Sequence, residues 1–294
     1  MKSEYWVIEK EGIIPSNKLI ANEYLIGLKL ANKSEATIDK YRRILEKFLM
    51  DCPKIIGELV AEDIHTWLIQ NYGDKKARTK ELVLGALSGF FKFCLAEEYI
   101  NGMLIKNRWR PKIPQSLPKY LNEYELARVK IQAERMSIRD RALIEFMYSS
   151  GCRRSEVIGL NVEDINLKKR TAQVVGKGKK IREVHFSQAA ALLLEEYLHN
   201  HPKDIQALFV GRFNKRLGAT GIYRICRILG EKAGLAYNLS PHMSRHTFAT
   251  NMLARGAELE FIGEELGHRD LNTTRIYARI PSEEIMSEYR KRME

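Results

Sequence analysis

Ser240-Pro-His-Met-Ser-Arg-His-Thr-Phe-Ala-Thr-Asn-Met252 is the stretch on which the reading of this chain turns. Pro241 suits the first turn of a helix, where its missing N–H is no loss. His242 and Arg245 stand three apart and so share one helical face. Thr247, Phe248 and Ala249 carry the same helix into a core. A lone histidine is ordinarily structural. A histidine paired with an arginine on a first turn is better explained as an anion-binding corner, because helix N-terminal amides converge there too.

Three further clusters lie on either side of it. Upstream, Gly151-Cys-Arg153-Arg154-Ser155-Glu156 opens a helix. Two arginines at that end oppose the helix dipole, a local cost that an anion would remove. Neighbours on a helix point about 100° apart, so only one of the two faces a site. Next, Thr171-Ala-Gln-Val-Val-Gly176 and Ile181-Arg-Glu-Val-His-Phe186 flank a glycine-containing, lysine-rich turn, which predicts a β-hairpin. The glycines on both sides of Lys177 would let the backbone come close to a ligand. Downstream, Leu266-Gly267-His268-Arg269-Asp270 is followed by Tyr277 in Thr273-Thr-Arg-Ile-Tyr277. Taken singly, a surface lysine or a core tyrosine explains each of these.

The rest of this region is helical in pattern, at 126–133 and 139–148, and from about 155, 189, 220 and 242. A polar break falls at 161–166. The N-terminal third reads as a helical bundle. Ile20, Tyr24 and Leu28 make one stripe, and Ser34 caps a second helix with Ile38, Tyr41, Ile44, Leu45 and Phe48. A short helix holds Ile64, Trp67 and Leu68. A long one at about 76–97 lines up Leu82, Val83, Leu87, Phe90, Phe91 and Cys94. Lys75, Lys76, Arg78 and Lys80 fall where that helix begins, so amides and cations together could meet phosphate. The segment 106–118, with three prolines and the cations Arg108 and Arg110 among its charges, reads as an extended basic linker. The expected architecture is therefore mainly α with a small antiparallel β-sheet, in two domains: a helical domain at 1–105, the linker at 106–118, and a second domain at 119–294.

Bulk composition narrows the class of partner. The net charge of +12 suits a polyanion, whose counterions are released on binding. No apolar run is long enough to span a bilayer, and the N-terminus lacks the apolar core of a signal peptide. The scattered Cys52, Cys94, Cys152 and Cys226 argue for reduced thiols in a cytoplasm, and against a zinc site or a disulfide framework.

In this order and spacing, the clusters resemble the catalytic domain of the phage-integrase (tyrosine recombinase) family, especially its compact Xer-type members. The motifs are Gly151-Cys-Arg153-Arg-Ser-Glu156, Gly176-Lys177-Gly178, His242-Met-Ser-Arg245-His246-Thr-Phe-Ala249, Leu266-Gly-His268 and Thr274-Arg-Ile-Tyr277. The resemblance spans nearly all of the second domain, and the first resembles the family's core-binding domain. After Gly-Lys-Gly the family tends to run Lys-Glu-Arg, an apolar pair and Pro, whereas this chain has Lys180-Ile-Arg182-Glu-Val-His185.

The resemblance implies a site-specific DNA recombinase. Tyr277 would attack a phosphodiester to give a 3′-phosphotyrosyl bond and a free 5′-hydroxyl. Arg153 and Arg245 would hold the phosphate, supported by Glu156. Lys177 would protonate the leaving oxygen, His242 would relay the tyrosine proton, and His268 would donate to the phosphate. The bond energy stays in the covalent intermediate, so neither cofactor nor metal is expected. The partner would be double-stranded DNA, gripped between the two domains. A homotetramer would assemble on it by exchange of the amphipathic tail at 281–294, with a partner recombinase or accessory protein as a further possibility. The place of action would be the cytoplasm, at the nucleoid. The residues before Ser16 are too few for an extra arm-binding domain, which favours a simple Xer-type system. Chromosome-dimer resolution and integration or excision of a mobile element both remain open. So do two rival readings: a topoisomerase of type IB, which relaxes DNA as a monomer, and a DNA-binding protein without catalysis.

Overall fold

The computed structural model describes residues 4–114, 118–176, 178, 180–268, 270 and 273–277. Lys177 and the tail at 281–294 lie outside the described residues. The chain divides into two compact units, Met1–Gln115 and Ser116–Glu294.

The first unit is a bundle of α1 (Pro15–Leu30), α2 (Glu35–Asp51), α3 (Ala61–Tyr72) and α4 (Ala77–Ala96). Ser34 caps α2 through its hydroxyl, which accepts from the Thr37 amide. The core is largely aromatic. Phe48 meets Trp67 and Phe91 edge-on, and Tyr24 packs on Phe90. Buried polarity is sparse, and Asn17 has its partners: it donates to the Lys54 carbonyl at 2.7 Å and accepts from the Ile56 amide at 3.0 Å. Leu82, placed by its spacing on the core stripe, is instead exposed, because α4 turns Val83, Leu87 and Phe91 inward. Within the segment expected to be an extended linker, Asn107–Trp109 forms a short 3₁₀ turn. Trp109 stacks on His65 there, and Arg110 pairs with Glu81.

The second unit is mainly helical. In chain order it has α5 (Glu123–Ala133), α6 (Ile138–Ser150), α7 (Arg154–Gly159), β1 (Ile165–Asn166), β2 (Thr171–Val175), β3 (Ile181–His185), α8 (Gln188–His199), α9 (Ala219–Lys232), α10 (Pro241–Ala254) and α11 (Leu259–Leu266). The sheet runs β1-β2-β3, antiparallel throughout. The sequence pattern predicted only the β2–β3 hairpin. Two residues of β1 are too few to show strand alternation, so that segment read as a polar break. Helix α6 is buried on several sides and packs against α8 and α10. Its Phe146 touches both Phe186 and Phe209.

All four cysteines are free thiols. Burial pushes Cys94, Cys152 and Cys226 up to about 12, while Cys52 is half-buried. Among the described residues no helix is long and apolar enough to cross a membrane.

Candidate active site

Two helix ends supply the backbone frame of the site. Helix α6 stops at Gly151 and α11 stops at Gly267, both in the left-handed conformation with φ of 60° and 61°. A side chain at Gly151 would also collide with Phe248 and Leu266, so both the dihedral and the packing require glycine. These caps leave carbonyls free to accept from side chains. The buried Arg245 donates through Nη1 to Gly151 O at 2.9 Å and through Nη2 to Leu266 O at 2.6 Å. Arg153 donates through Nη2 to Gly267 O at 3.2 Å. The glycines of two separate motifs are thus the seats of the two arginines.

Glu156 sits between these arginines. Its carboxylate, 1% exposed, accepts from Arg153 Nη1 at 2.8 Å and from the Arg153 amide at 2.7 Å. It also pairs with Arg182 Nη2 at 3.1 Å. Two guanidiniums therefore share one carboxylate and Arg245 rests on carbonyls alone, which leaves a strong excess of positive charge in a partly dry place. Burial, reinforced by Arg153, lowers Arg245 to about 10. Arg154, next to Arg153, is exposed at the first position of α7, so only the first of the pair joins the cluster.

Tyr277 is buried, at 1% exposure, against Phe248, Ala249, Ile262 and Leu266. Its hydroxyl lies 2.8 Å from His246 Nδ1. Burial raises the phenol above its usual range, and Arg245 and Arg153 pull it down. The imidazole beside the phenol is therefore that of His246. His242, expected to be the tyrosine's partner, lies one turn earlier on α10, with its ring 6.5 Å from that of His246. Partial burial lowers His242, as do Arg154, Arg245 and Arg153. His268 Nδ1 is 2.8 Å from the hydroxyl of the buried Thr274. Burial and the nearby arginines hold His268 at about 4; burial, His242 and Arg245 do the same for His246. Both rings are neutral at pH 7, so each has one donor nitrogen and one acceptor.

Arg153, Glu156, His242, Arg245, His268 and Tyr277 thus come together from four separated stretches of chain. Lys177 is outside the described residues. The cations singled out in the N-terminal third belong to the first unit. Lys75, Lys76, Arg78 and Arg108 are exposed, Lys80 is half-buried, and Arg110 is engaged with Glu81. Sequence reasoning missed three participants: His246, Thr274 and Arg182. His246 and Thr274 sit inside quoted motifs, and Arg182, in the strand after the glycine turn, had a signal of its own. It faces Val174 across the sheet and lies two residues from the buried Val184, so strand parity turns its side chain inward.

Comparison with known proteins covers both units. The phage integrase family matches residues 119–284. Tyrosine recombinase XerA of Pyrococcus furiosus is 35% identical over 270 residues, covering 90% of this chain and 91% of that protein. Tyrosine recombinase XerD of Bifidobacterium longum is 31% identical over 272 residues, covering 87% and 88%. Among solved structures, the XerH site-specific recombinase in a post-cleavage complex with palindromic difH substrate superposes with a TM-score of 0.76. It is 23% identical, covers 98% of this chain and 92% of that one, and supports the fold.

Proposed function

This chain belongs to the phage integrase family as a Xer-like, site-specific tyrosine recombinase, and on that footing we propose that Tyr277 cleaves duplex DNA through a 3′-phosphotyrosyl intermediate. The observation that carries this reading is the meeting of one buried tyrosine with two arginines seated on helix-cap carbonyls. Among the described residues, each of these guanidiniums uses two of its five N–H groups on protein acceptors, leaving donors for the non-bridging oxygens of a phosphate.

The chemistry follows from the charges. An ordinary phenol is about 4 kcal/mol short of phenolate at pH 7, and burial adds to that deficit. A phosphate drawn to Arg153 and Arg245 brings the electrophile to the phenol, and the arginines neutralise charge that builds in the transition state. A well-placed donor of this kind contributes on the order of 3–4 kcal/mol. His246, neutral at pH 7, takes the phenol proton as the oxygen attacks phosphorus. The bond to the 5′-oxygen breaks, and Lys177 supplies its proton. His242 and His268 donate to the phosphate. Glu156 keeps Arg153 in place. Rejoining is the same path reversed, with the 5′-hydroxyl of a second strand as nucleophile.

The wider assembly belongs to the same proposal. Four copies exchange strands on DNA, each sending residues of about 281–294 to a neighbour. A groove of about 370 Å³ on the second unit, lined in part by Leu126, Tyr148, Phe186, Phe248, Met252 and Phe261, supports a docking place for the apolar Ile285, Met286 and Tyr289. Lys75, Lys76, Arg78, Lys80 and Arg108 add phosphate contacts, with Arg110 the weakest of the set because Glu81 holds it. A chromosomal or mobile-element site in the cytoplasm is the target, with an accessory or partner recombinase ordering the cleavages.

The test uses nicked duplexes bearing sites enriched from random DNA by binding to the protein. Denaturing gels should show a protein–DNA adduct for the wild type and none for Tyr277→Phe. An adduct that survives the substitution, or relaxation of supercoiled plasmid with no exchange of strands between sites, would overturn the proposal.

A further inference from the structure

Arg182 is the third guanidinium of the cluster, and each of its acceptors is shared with one of the other two. Its Nη2 donates to Glu156 Oε2 at 3.1 Å and to Leu266 O at 3.3 Å. Glu156 is the carboxylate that holds Arg153, and Leu266 O is the carbonyl that holds Arg245. Arg182 comes from β3, whereas Arg153 precedes α7 and Arg245 lies on α10. The side chain therefore ties the hairpin, the acidic residue of α7 and the C-terminal cap of α11 into one unit.

Two details set it apart from an ordinary ion pair. Among the described residues, its Nε and Nη1 are buried without a hydrogen-bond partner. Buried donors are nearly always satisfied, so a guanidinium kept in this state points to a use other than stability. Its guanidinium also passes so close over Gly267 that a Cβ there would collide with Nε. The left-handed cap at the end of α11 thus serves a second purpose, which is to admit Arg182 beside the carbonyls that seat Arg153 and Arg245. Substituting a neutral side chain would leave Glu156 Oε2 to the Arg153 amide and Leu266 O to Arg245 alone, removing the brace without removing either phosphate-facing arginine.

We propose that Arg182 is a positioning residue for the cleavage reaction assigned above: it touches no DNA, and it holds Glu156 and Leu266 O so that Arg153 and Arg245 present their free donors to one phosphate. The role rests on that reading of the reaction. It adds a brace that spans both arginines, where Glu156 alone holds only one.

The test compares adduct formation by the full chain on two nicked duplexes, one with the ordinary scissile phosphodiester and one with a methylphosphonate there. The methylphosphonate carries no negative charge and has less need of two aligned cations. On ordinary DNA, Arg182→Met should slow adduct formation by about 10–100-fold, the scale of a small displacement of catalytic groups. DNA binding should stay near the wild-type level. On the methylphosphonate the gap between variant and wild type should close to within about 3-fold, because charge alignment is no longer what limits the rate. Arg182→Lys keeps the charge but not the fork, so a smaller loss is expected, erased in the same way. That variant carries the test if Arg182→Met does not fold. Equal losses on the two substrates, or no loss on ordinary DNA, would overturn the positioning role alone. A wild type that forms no Tyr277-dependent adduct would overturn the cleavage reading, and this role with it.

Discussion

The N-terminal bundle and the second unit bury different things. The bundle hides Phe48, Trp67, Phe90 and Phe91 with few polar groups among them, and the enclosed amide of Asn17 has its partners at hand. The second unit hides Glu156 and Arg245 and keeps His246, His268 and Tyr277 partly or wholly out of water. Apolar burial stabilises a fold at about 25 cal/mol per Å². Buried charge costs stability unless each group is paired, and pairing often only breaks even. The first unit is therefore built for cohesion. The second gives up some cohesion to hold a poised cluster of charge.

The sharpest way to break this contrast is at Tyr277, the proposed nucleophile. Tyr277→Phe should abolish the covalent adduct while altering unfolding free energy by only about 1 kcal/mol, the value of one hydrogen bond. Arg245→Met should follow, slowing adduct formation by about 10²–10³-fold. In the first unit the balance reverses. Phe48→Ala should destabilise the bundle by about 3–5 kcal/mol in chemical denaturation, with the cleavage rate per folded molecule unchanged. A cleavage defect in molecules shown to be folded would mean that the two units are not separable in this way.

Acid should sharpen the difference next. His246 and His268 are held near 4 in the folded chain, below their unfolded value of 6.5. The unfolded chain therefore binds more protons between those values, and the second unit should lose stability as pH falls from about 6.5 to 4. In the first unit, Asp39 and Asp63 lie below their ordinary value of 3.8, held there chiefly by hydrogen bonds from Arg42 and Lys54. Their contribution is complete above that value and is lost only below it. Hydrogen exchange on the intact chain at pH 7 and pH 5 should thus show earlier opening of α10 and α11 than of α2 and α4. His246→Gln should reduce the difference. The smallest effect is expected at the surface: Lys75→Ala and Lys76→Ala should each reduce the salt slope of DNA binding by about 1, and Arg110→Ala by less, since Glu81 already occupies it.

The sequence made many elements of the fold legible because their signals are local. Pro241 marks a helix start, Ser34 a cap, and Gly176 with Gly178 a turn. The motif order then pointed to Arg153, Arg245, His268 and Tyr277, which the fold brings together. What was not legible is contact across distance. His246 follows Arg245 directly, yet only the path of residues 273–277 determines which imidazole meets the phenol. Arg182 looked like one more charge on a strand, because its meaning depends on Glu156, 26 positions away, and Leu266, 84 away. Leu82 shows the opposite failure: an apolar residue at core spacing that the helix rotates into solvent. The two-residue β1 had no pattern to read.

The three deeply buried thiols give the molecule internal clocks. Held at about 12 and shielded from solvent, Cys94, Cys152 and Cys226 react with an alkylating reagent only when the chain around them opens. Cys94 times the opening of α4, Cys226 that of α9, and Cys152 that of the short joint between Gly151 and Arg153 on which both arginines of the cluster depend. With the half-exposed Cys52 as an early marker, one labelling course on the unmodified protein yields separate opening rates for each unit, and shows how far a bound DNA duplex slows each of them.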